Sequence, residues 1–202
     1  MTSAKRLLDL VLALTLGMLL LPLMIVLVAV LLITEGRPLF YVSERMRSPR
    51  QGFGLIKLRT MPVGSDRVGG VTGGDKQRQM SRMHRLLRRS RADEIPQLWN
   101  VIRGDMSLVG PRPPLRRYVA DYPELYAAVL ACRPGITGLA SLVYHGHEER
   151  LLAASTTPEA TEATYRRRCI PQKARLDLIY ARHRTLCWDL VLIGRTAVKP
   201  FK

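Results

Sequence analysis

The apolar and polar positions divide the chain into one long apolar run followed by a stretch whose periodicity changes repeatedly. After a polar, basic start, MTSAKR, Asp9 is the last charge before the 24 uninterrupted residues from Leu10 to Ile33. A helix through them would be about 36 Å long, enough to cross a hydrocarbon core of about 30 Å. The run is too long for the core of a cleavable signal peptide, and no small-residue cleavage site precedes Thr34. Two topologies follow. One is a single spanning helix. The other is a re-entrant helix-hairpin bent at Pro22, near the midpoint, where proline removes a backbone donor. Lys5 and Arg6 on one flank and Arg37, Arg45, Arg47 and Arg50 on the other would both be held on the cytoplasmic side only by the hairpin, whereas many spanning helices also carry a central proline, so these residues leave both topologies open.

Beyond the run, Pro38 to Val42 is strand-like, Ser48-Pro49-Arg50-Gln51-Gly52 is a turn, and Phe53 to Met61 completes a β-hairpin in which Lys57 and Arg59 share a face. Residues 62–74, PVGSDRVGGVTGG, read as a flexible loop without the ending of a phosphate-binding loop. Asp75 to Ser90 has a helical, strongly basic pattern suited to an anionic membrane surface. Arg91 to Arg103 reads as a helix with an Ile95, Leu98, Trp99 and Ile102 stripe and Gly104 as its stop, placing Asp93 and Glu94 in its first turn. A short strand and the rigid Pro111-Arg112-Pro113 turn follow, then a helix over residues 115–130 and a second rigid turn bearing Arg133. Leu139 to Tyr144 is strand-like, residues 155–164 read as a linker, and Tyr165 to Lys202 as a final amphipathic helix. Trp188 there either packs on the core or rests at an interface. The fold class is therefore α+β, mostly helical: residues 1–35 form the membrane helix and its flank, and residues 36–202 one small domain with a short hairpin and interfacial amphipathic helices.

Charge sharpens the picture. The chain carries 32 Lys and Arg against 16 Asp and Glu, a net charge of +16, which calls for an anionic partner. Cys132, Cys169 and Cys187 lack metal-ligand spacing and read as buried or free thiols. His145 and His147 have no third ligand in view and suit polar substrate or loop contacts better than a metal. The densest chemistry lies between Arg88 and Pro113, where Asp93 and Glu94 sit among Arg88, Arg89, Arg91, Arg103 and Arg112. Acids flanked by cations that can receive phosphate oxygens suit phosphoryl transfer involving a carboxylate.

These residues resemble the bacterial sugar transferases, the small monotopic phosphoglycosyl transferases that act on polyprenyl phosphate. The likeness covers nearly the whole chain: KRLLDLVLAL with its mid-run proline, PLFYVSERM, FGLIKLRTM, RADEIPQLWNVIRGDMSLVGPRP, RPGITGLASL, KARLDLIYARH and WDLVLIGRTA. The resemblance implies transfer of a sugar 1-phosphate from a UDP-sugar to polyprenyl phosphate, with undecaprenyl phosphate as the expected acceptor, releasing UMP with Mg2+ as cofactor. It also implies a re-entrant anchor at the bacterial inner membrane with the catalytic domain on the cytoplasmic face, in contact with anionic lipids. By the same resemblance Asp93 is the nucleophile, Glu94 its partner, and both are metal ligands. Arg88, Arg112 and Arg133, and more weakly Lys57 and Arg59, contact phosphate. Two departures stand out: Leu21 precedes Pro22 where serine is usual, and Tyr144-His145-Gly146-His147-Glu148-Glu149 replaces an Asn-Gly-Arg-Asn-like turn. A membrane-tethered nucleic-acid binder would satisfy the charge, but no reading motif or aromatic platform is present and the acid pair would go unexplained, so nucleic acid is not expected. A non-catalytic membrane scaffold is the other alternative, and self-association as a homodimer is left open.

Overall fold

The computed structural model describes residues 1–61 and 81–198. The glycine-rich loop of residues 62–74 and the basic residues 75–80 lie outside the described residues. Helix α1, Ser3–Thr34, is continuous through Pro22, and Thr2 caps its start by accepting from the Lys5 amide. Proline withdraws one donor, leaving the Met18 carbonyl without its usual partner, while the bonds on either side persist. Among the described residues α1 is the one helix long and apolar enough to cross a membrane.

Antiparallel strands β1, Phe40–Met46, and β2, Gly52–Leu58, form the expected hairpin, with Tyr41 opposite Lys57 and Arg45 opposite Phe53. Helix α2, Arg82–Arg89, begins at Ser81, whose hydroxyl accepts from the His84 amide. The expected single helix over 91–103 is in fact two pieces. Arg91 takes a left-handed conformation at φ 56°, Ala92–Glu94 form a 3-10 turn, and α3, Gln97–Arg103, starts only after Pro96. Gly104, at φ 87°, stops α3 as expected.

Strand β3, Ser107–Val109, pairs in parallel with β4, Gly135–Thr137. The two approach so closely at Gly110 and Gly135 that a side chain on Gly135 would collide with the Gly110 amide. The helix expected over 115–130 is divided into α4, Arg116–Asp121, and α5, Pro123–Val129, because Pro123 pushes Tyr122 out of the helical region. The strand expected at Leu139 to Tyr144 is instead the start of α6, Leu139–Ala153. A short apolar run fits either period, and here it packs as a helix against α8, Ile170–His183. Residues 158–164 within the expected linker form α7, Pro158–Thr164, with Thr157 as cap and proline in the first turn. A π-helical turn, Tyr165–Cys169, leads into α8, and α9, Leu186–Val198, closes the described chain. The terminal amphipathic segment is thus two helices, and Trp188 packs against the core while Leu190, Val191 and Val198 stay exposed. The three cysteines are free, with Cys132 and Cys169 buried and Cys187 exposed.

Both ends of α1 dock on this one domain. Near its start, the Arg6 guanidinium donates to the carbonyls of Val101 at 2.6 Å and Ile102 at 2.7 Å, satisfying the C-terminal end of α3. Lys5 Nζ lies 3.1 Å from Asp9 and 2.7 Å from Asp189, Asp9 accepts from the Leu108 amide, and Tyr180 donates to Asp189. Asp9 and Asp189 are buried, so each depends on these partners to offset its desolvation. At the other end, Arg59 donates to the carbonyls of Glu35 and Gly36, Ser81 donates to Glu35, and Leu31 packs with Leu58 and Leu87. In between, Ala13 joins the main core around Leu98, Val101, Met106 and Val109. The opposite side of α1, including Leu7, Leu14, Met18 and Ile25, is exposed.

Candidate active site

Asp93 and Glu94 occupy the 3-10 turn between α2 and α3, and the left-handed Arg91 sets the direction of that turn. A non-glycine residue there costs on the order of 1 kcal/mol or more. The same residue closes the turn by an ion pair, its Nη2 lying 2.8 Å from Glu94 Oε2. The other Glu94 oxygen accepts from Arg112 Nη2 at 2.8 Å, so the proline-flanked turn after β3 clamps the acid from the far side. Arg88 arrives from the last turn of α2, with its Nε donating to Thr60 at 2.9 Å. Lys57 comes from β2, its ammonium 5.3 Å from the centre of the Tyr41 ring.

The two adjacent acids have opposite electrostatics. Burial, reinforced by the negative charge of Glu94, raises the Asp93 carboxyl to about 6 despite the opposing pull of Lys57, Arg88 and Arg112. For Glu94 burial also acts upward, but the charges and hydrogen bonds of Arg112 and Arg91 overturn it and hold the carboxyl at about 2. Glu94 correspondingly raises Arg112. Burial, and then the charges of Arg88 and Arg45, lower Lys57 to about 8. Arg88 is lowered mainly by burial. One acid is therefore fixed as an anion while its neighbour is a high-energy carboxylate inside a cationic ring, which is the state a nucleophile needs.

The structure brings together Asp93, Glu94, Arg88, Arg112 and Lys57. Arg133 is elsewhere: its charged neighbours are Arg47, Arg6, Asp9 and Asp105, beside the start of α1. Arg59 is committed to the end of α1 through Glu35 and Gly36. His145 and His147 lie on α6, not in a loop; His145 is 3.5 Å from Glu149, and the His147 ring lies tilted against that of Tyr144, their centres 5.2 Å apart. No group of three metal-ligating side chains occurs among the described residues.

Two members of the cluster play parts that the sequence did not assign them. Arg91 matters through a backbone conformation that no local pattern announces. Arg45 is half-buried, donates to the Pro113 carbonyl at 3.4 Å, and its charge acts on Lys57. Strand alternation carried the signal for it, since Tyr41, Ser43 and Arg45 share the face that carries Lys57 across the hairpin.

Residues 1–202 match the family described as bacterial sugar transferase, and the chain belongs to that family. It is 40% identical over 145 residues to a UDP-glucose:undecaprenyl-phosphate glucose-1-phosphate transferase of Caulobacter vibrioides, an alignment covering 68% of this chain and 53% of that protein. It is 33% identical over 129 residues to a UDP-N-acetylgalactosamine-undecaprenyl-phosphate N-acetylgalactosaminephosphotransferase of Aeromonas hydrophila, covering 62% of this chain and 30% of that protein. A UDP-glucose:undecaprenyl-phosphate glucose-1-phosphate transferase of Xanthomonas campestris is 32% identical over 200 residues, covering 97% and 38% respectively. The chain thus spans about half or less of the length of these three relatives.

Proposed function

We propose that the chain transfers a sugar 1-phosphate from a UDP-sugar to undecaprenyl phosphate and releases UMP. The observation that carries this reading is the buried Asp93 carboxylate beside the clamped Glu94, within reach of Lys57, Arg88 and Arg112. An Asp93 oxygen attacks the sugar-bearing phosphorus, the bond to the UMP phosphate breaks, and the sugar phosphate is left on the carboxylate as an acyl-phosphate. An oxygen of the lipid phosphate then attacks the same phosphorus and displaces Asp93, giving a lipid diphosphate-linked sugar. Lys57, Arg88 and Arg112 hold phosphate oxygens and offset charge as it moves, and Glu94 keeps Arg112 aimed at the site.

The donor set suits Mg2+, which is commonly held by one or two carboxylates with substrate phosphates and water completing the shell. Asp93 and Glu94 would supply the protein oxygens, since each Glu94 oxygen keeps a second lone pair beyond its guanidinium bond. When bound, the cation would neutralise diphosphate charge.

The chain is anchored by residues 1–35 at the inner membrane, with residues 36–202 as the catalytic domain on the cytoplasmic face. Support for one-sided insertion comes from α1 itself: a 32-residue helix of about 48 Å has both ends docked on the same domain and turns an apolar face outward. Anionic headgroups would meet the basic flank at Arg37 and Arg50.

The test is nucleotide release by purified protein supplied with Mg2+, undecaprenyl phosphate and either UDP-glucose or UDP-N-acetylgalactosamine. UMP appears, and Asp93→Asn abolishes it; release of UDP, or normal turnover by the variant, contradicts the reading. A pH series adds a second check. Lys57 is charged below about 8 and neutral above it, so kcat/KM for the donor falls as the pH passes that value. Lys57→Arg stays charged and carries the plateau to higher pH; an unmoved alkaline limb removes Lys57 from phosphate binding.

A further inference from the structure

Helix α3 and the turn before it have two unlike sides. Ile95, Leu98, Trp99 and Ile102 line one hollow with Leu20 and Met24 of α1, which makes that side apolar. The opposite side is polar and buried. There Asn100 donates to the Gly54 carbonyl at 2.8 Å and accepts from the Ile56 amide at 3.1 Å, so this side lies along β2. Gln97 comes three residues before Asn100 and four after Asp93, and Ile95 and Pro96 between them keep helical dihedrals. The three polar residues therefore follow one another at about one turn on the side facing β2, the strand whose Lys57 acts on Asp93. Asn100 is paired through both its amide groups. Gln97, 2% exposed, forms no hydrogen bond with any described residue, and its Nε2 is enclosed without a partner. Asp93, 6% exposed, forms none either. A buried amide left unpaired costs free energy and is uncommon in a folded protein. Here the orphan donor sits one turn from an orphan acceptor, and that acceptor is the nucleophile.

We propose that Gln97 is a further catalytic residue, whose side-chain amide donates to the Asp93 oxygen that does not bond phosphorus, in the acyl-phosphate and in the transition states on either side of it. The proposal rests on the transferase reading above. As one Asp93 oxygen bonds the sugar-bearing phosphorus and UMP leaves with the electron pair of the broken bond, the other oxygen becomes the carbonyl of the acyl-phosphate. When an oxygen of the lipid phosphate attacks, the bond from Asp93 to phosphorus breaks, its electron pair returns to the carboxylate, and the charge spreads over both oxygens. A donor on the carbonyl oxygen holds the carboxyl plane in line for both displacements and takes up part of that charge. The bond is absent from the free protein, so it does not stabilise the carboxylate before attack, and its effect falls on the reaction and not on donor binding.

Gln97→Met is close in volume and removes the unpaired amide, so the variant unfolds at the same temperature as the unmodified protein or higher. The experiment takes both proteins in nanodiscs with Mg2+ and UDP-glucose or UDP-N-acetylgalactosamine. It measures single-turnover UMP release against donor concentration, and then the rate at which undecaprenyl phosphate removes the adduct. The expected result is UMP release slowed on the order of a hundredfold at saturating donor, with an unchanged half-saturating donor concentration and slower removal of the adduct. The infrared carbonyl band of the adduct moves to higher frequency in the variant, as for a carbonyl that has lost a hydrogen bond. Unchanged rates with an unchanged band overturn the assignment of Gln97 alone. A lowered unfolding temperature or a raised half-saturating concentration also overturns it, because the amide then serves the fold or donor binding. Absence of UMP release by the unmodified protein with either donor overturns the transferase reading, and the assignment with it.

Discussion

Asp93→Asn is expected to be inactive and more stable than the unmodified protein, while Glu94→Gln, one residue away, is expected to be inactive and less stable. Loss of a covalent nucleophile should lower turnover by about a thousandfold or more. The stability signs follow from the two carboxyl groups. Asp93 is raised from 3.8 to about 6, first by burial and then by Glu94, so its ionisation penalty is absent below pH about 4, grows through about 6, and is complete at pH 7. Removing the charge then returns up to about 3 kcal/mol at pH 7 and little at pH 4. Glu94 is held at about 2 by Arg112 and Arg91 against the upward effect of burial, so its stabilising contribution is present above 4.5 and lost as pH falls towards 2. Glu94→Gln forfeits about 3 kcal/mol at pH 7. Thermal unfolding in detergent with EDTA, at pH 4 and pH 7, reads both effects; variants shifted in the same direction at pH 7 would refute the electrostatic division of labour.

Cysteines placed at Thr2 and at Arg37 in a Cys187→Ser background are expected to react with a membrane-impermeant maleimide from the same side. Both positions are exposed, and the other two cysteines are buried. Intact spheroplasts should leave both unlabelled and inverted vesicles should label both, an all-or-none outcome. The physical reason is that Arg6 is held by Val101 and Ile102 while Glu35 and Gly36 are held by Arg59, so separating the two flanks across a bilayer would break the docking at one end. Labelling of one position from outside would establish a spanning helix.

Much of the architecture was legible wherever local chemistry decides structure. The turn at Ser48 to Gly52, the stop at Gly104 and the apolar run of α1 each carry their own signal, and the structure follows them. The acid pair and Arg112 were legible too, because charge density and proline punctuation sit together in sequence. Where tertiary contacts decide, the sequence was ambiguous. Leu139 to Tyr144 fits a strand or a helix until α8 packs against it. The start of α7 is marked by Thr157-Pro158, but the polar composition around it fits a linker equally well. Arg133 and Arg59 look like good phosphate ligands by residue type, yet one lies among Arg47, Arg6 and Asp105 and the other binds the end of α1, contacts that depend on distant segments. Arg45 reaches the site from the hairpin face for the same reason.

A covalent intermediate on Asp93 is detected by mixing purified protein with Mg2+ and UDP-glucose or UDP-N-acetylgalactosamine labelled in the sugar-bearing phosphate, omitting the acceptor, and mapping the label by mass spectrometry. The expected result is up to one sugar phosphate per chain, carried on Asp93, with one UMP released for each, and removal of the adduct when undecaprenyl phosphate is added. Label on another residue, or full turnover with no adduct formed at any time, would contradict it.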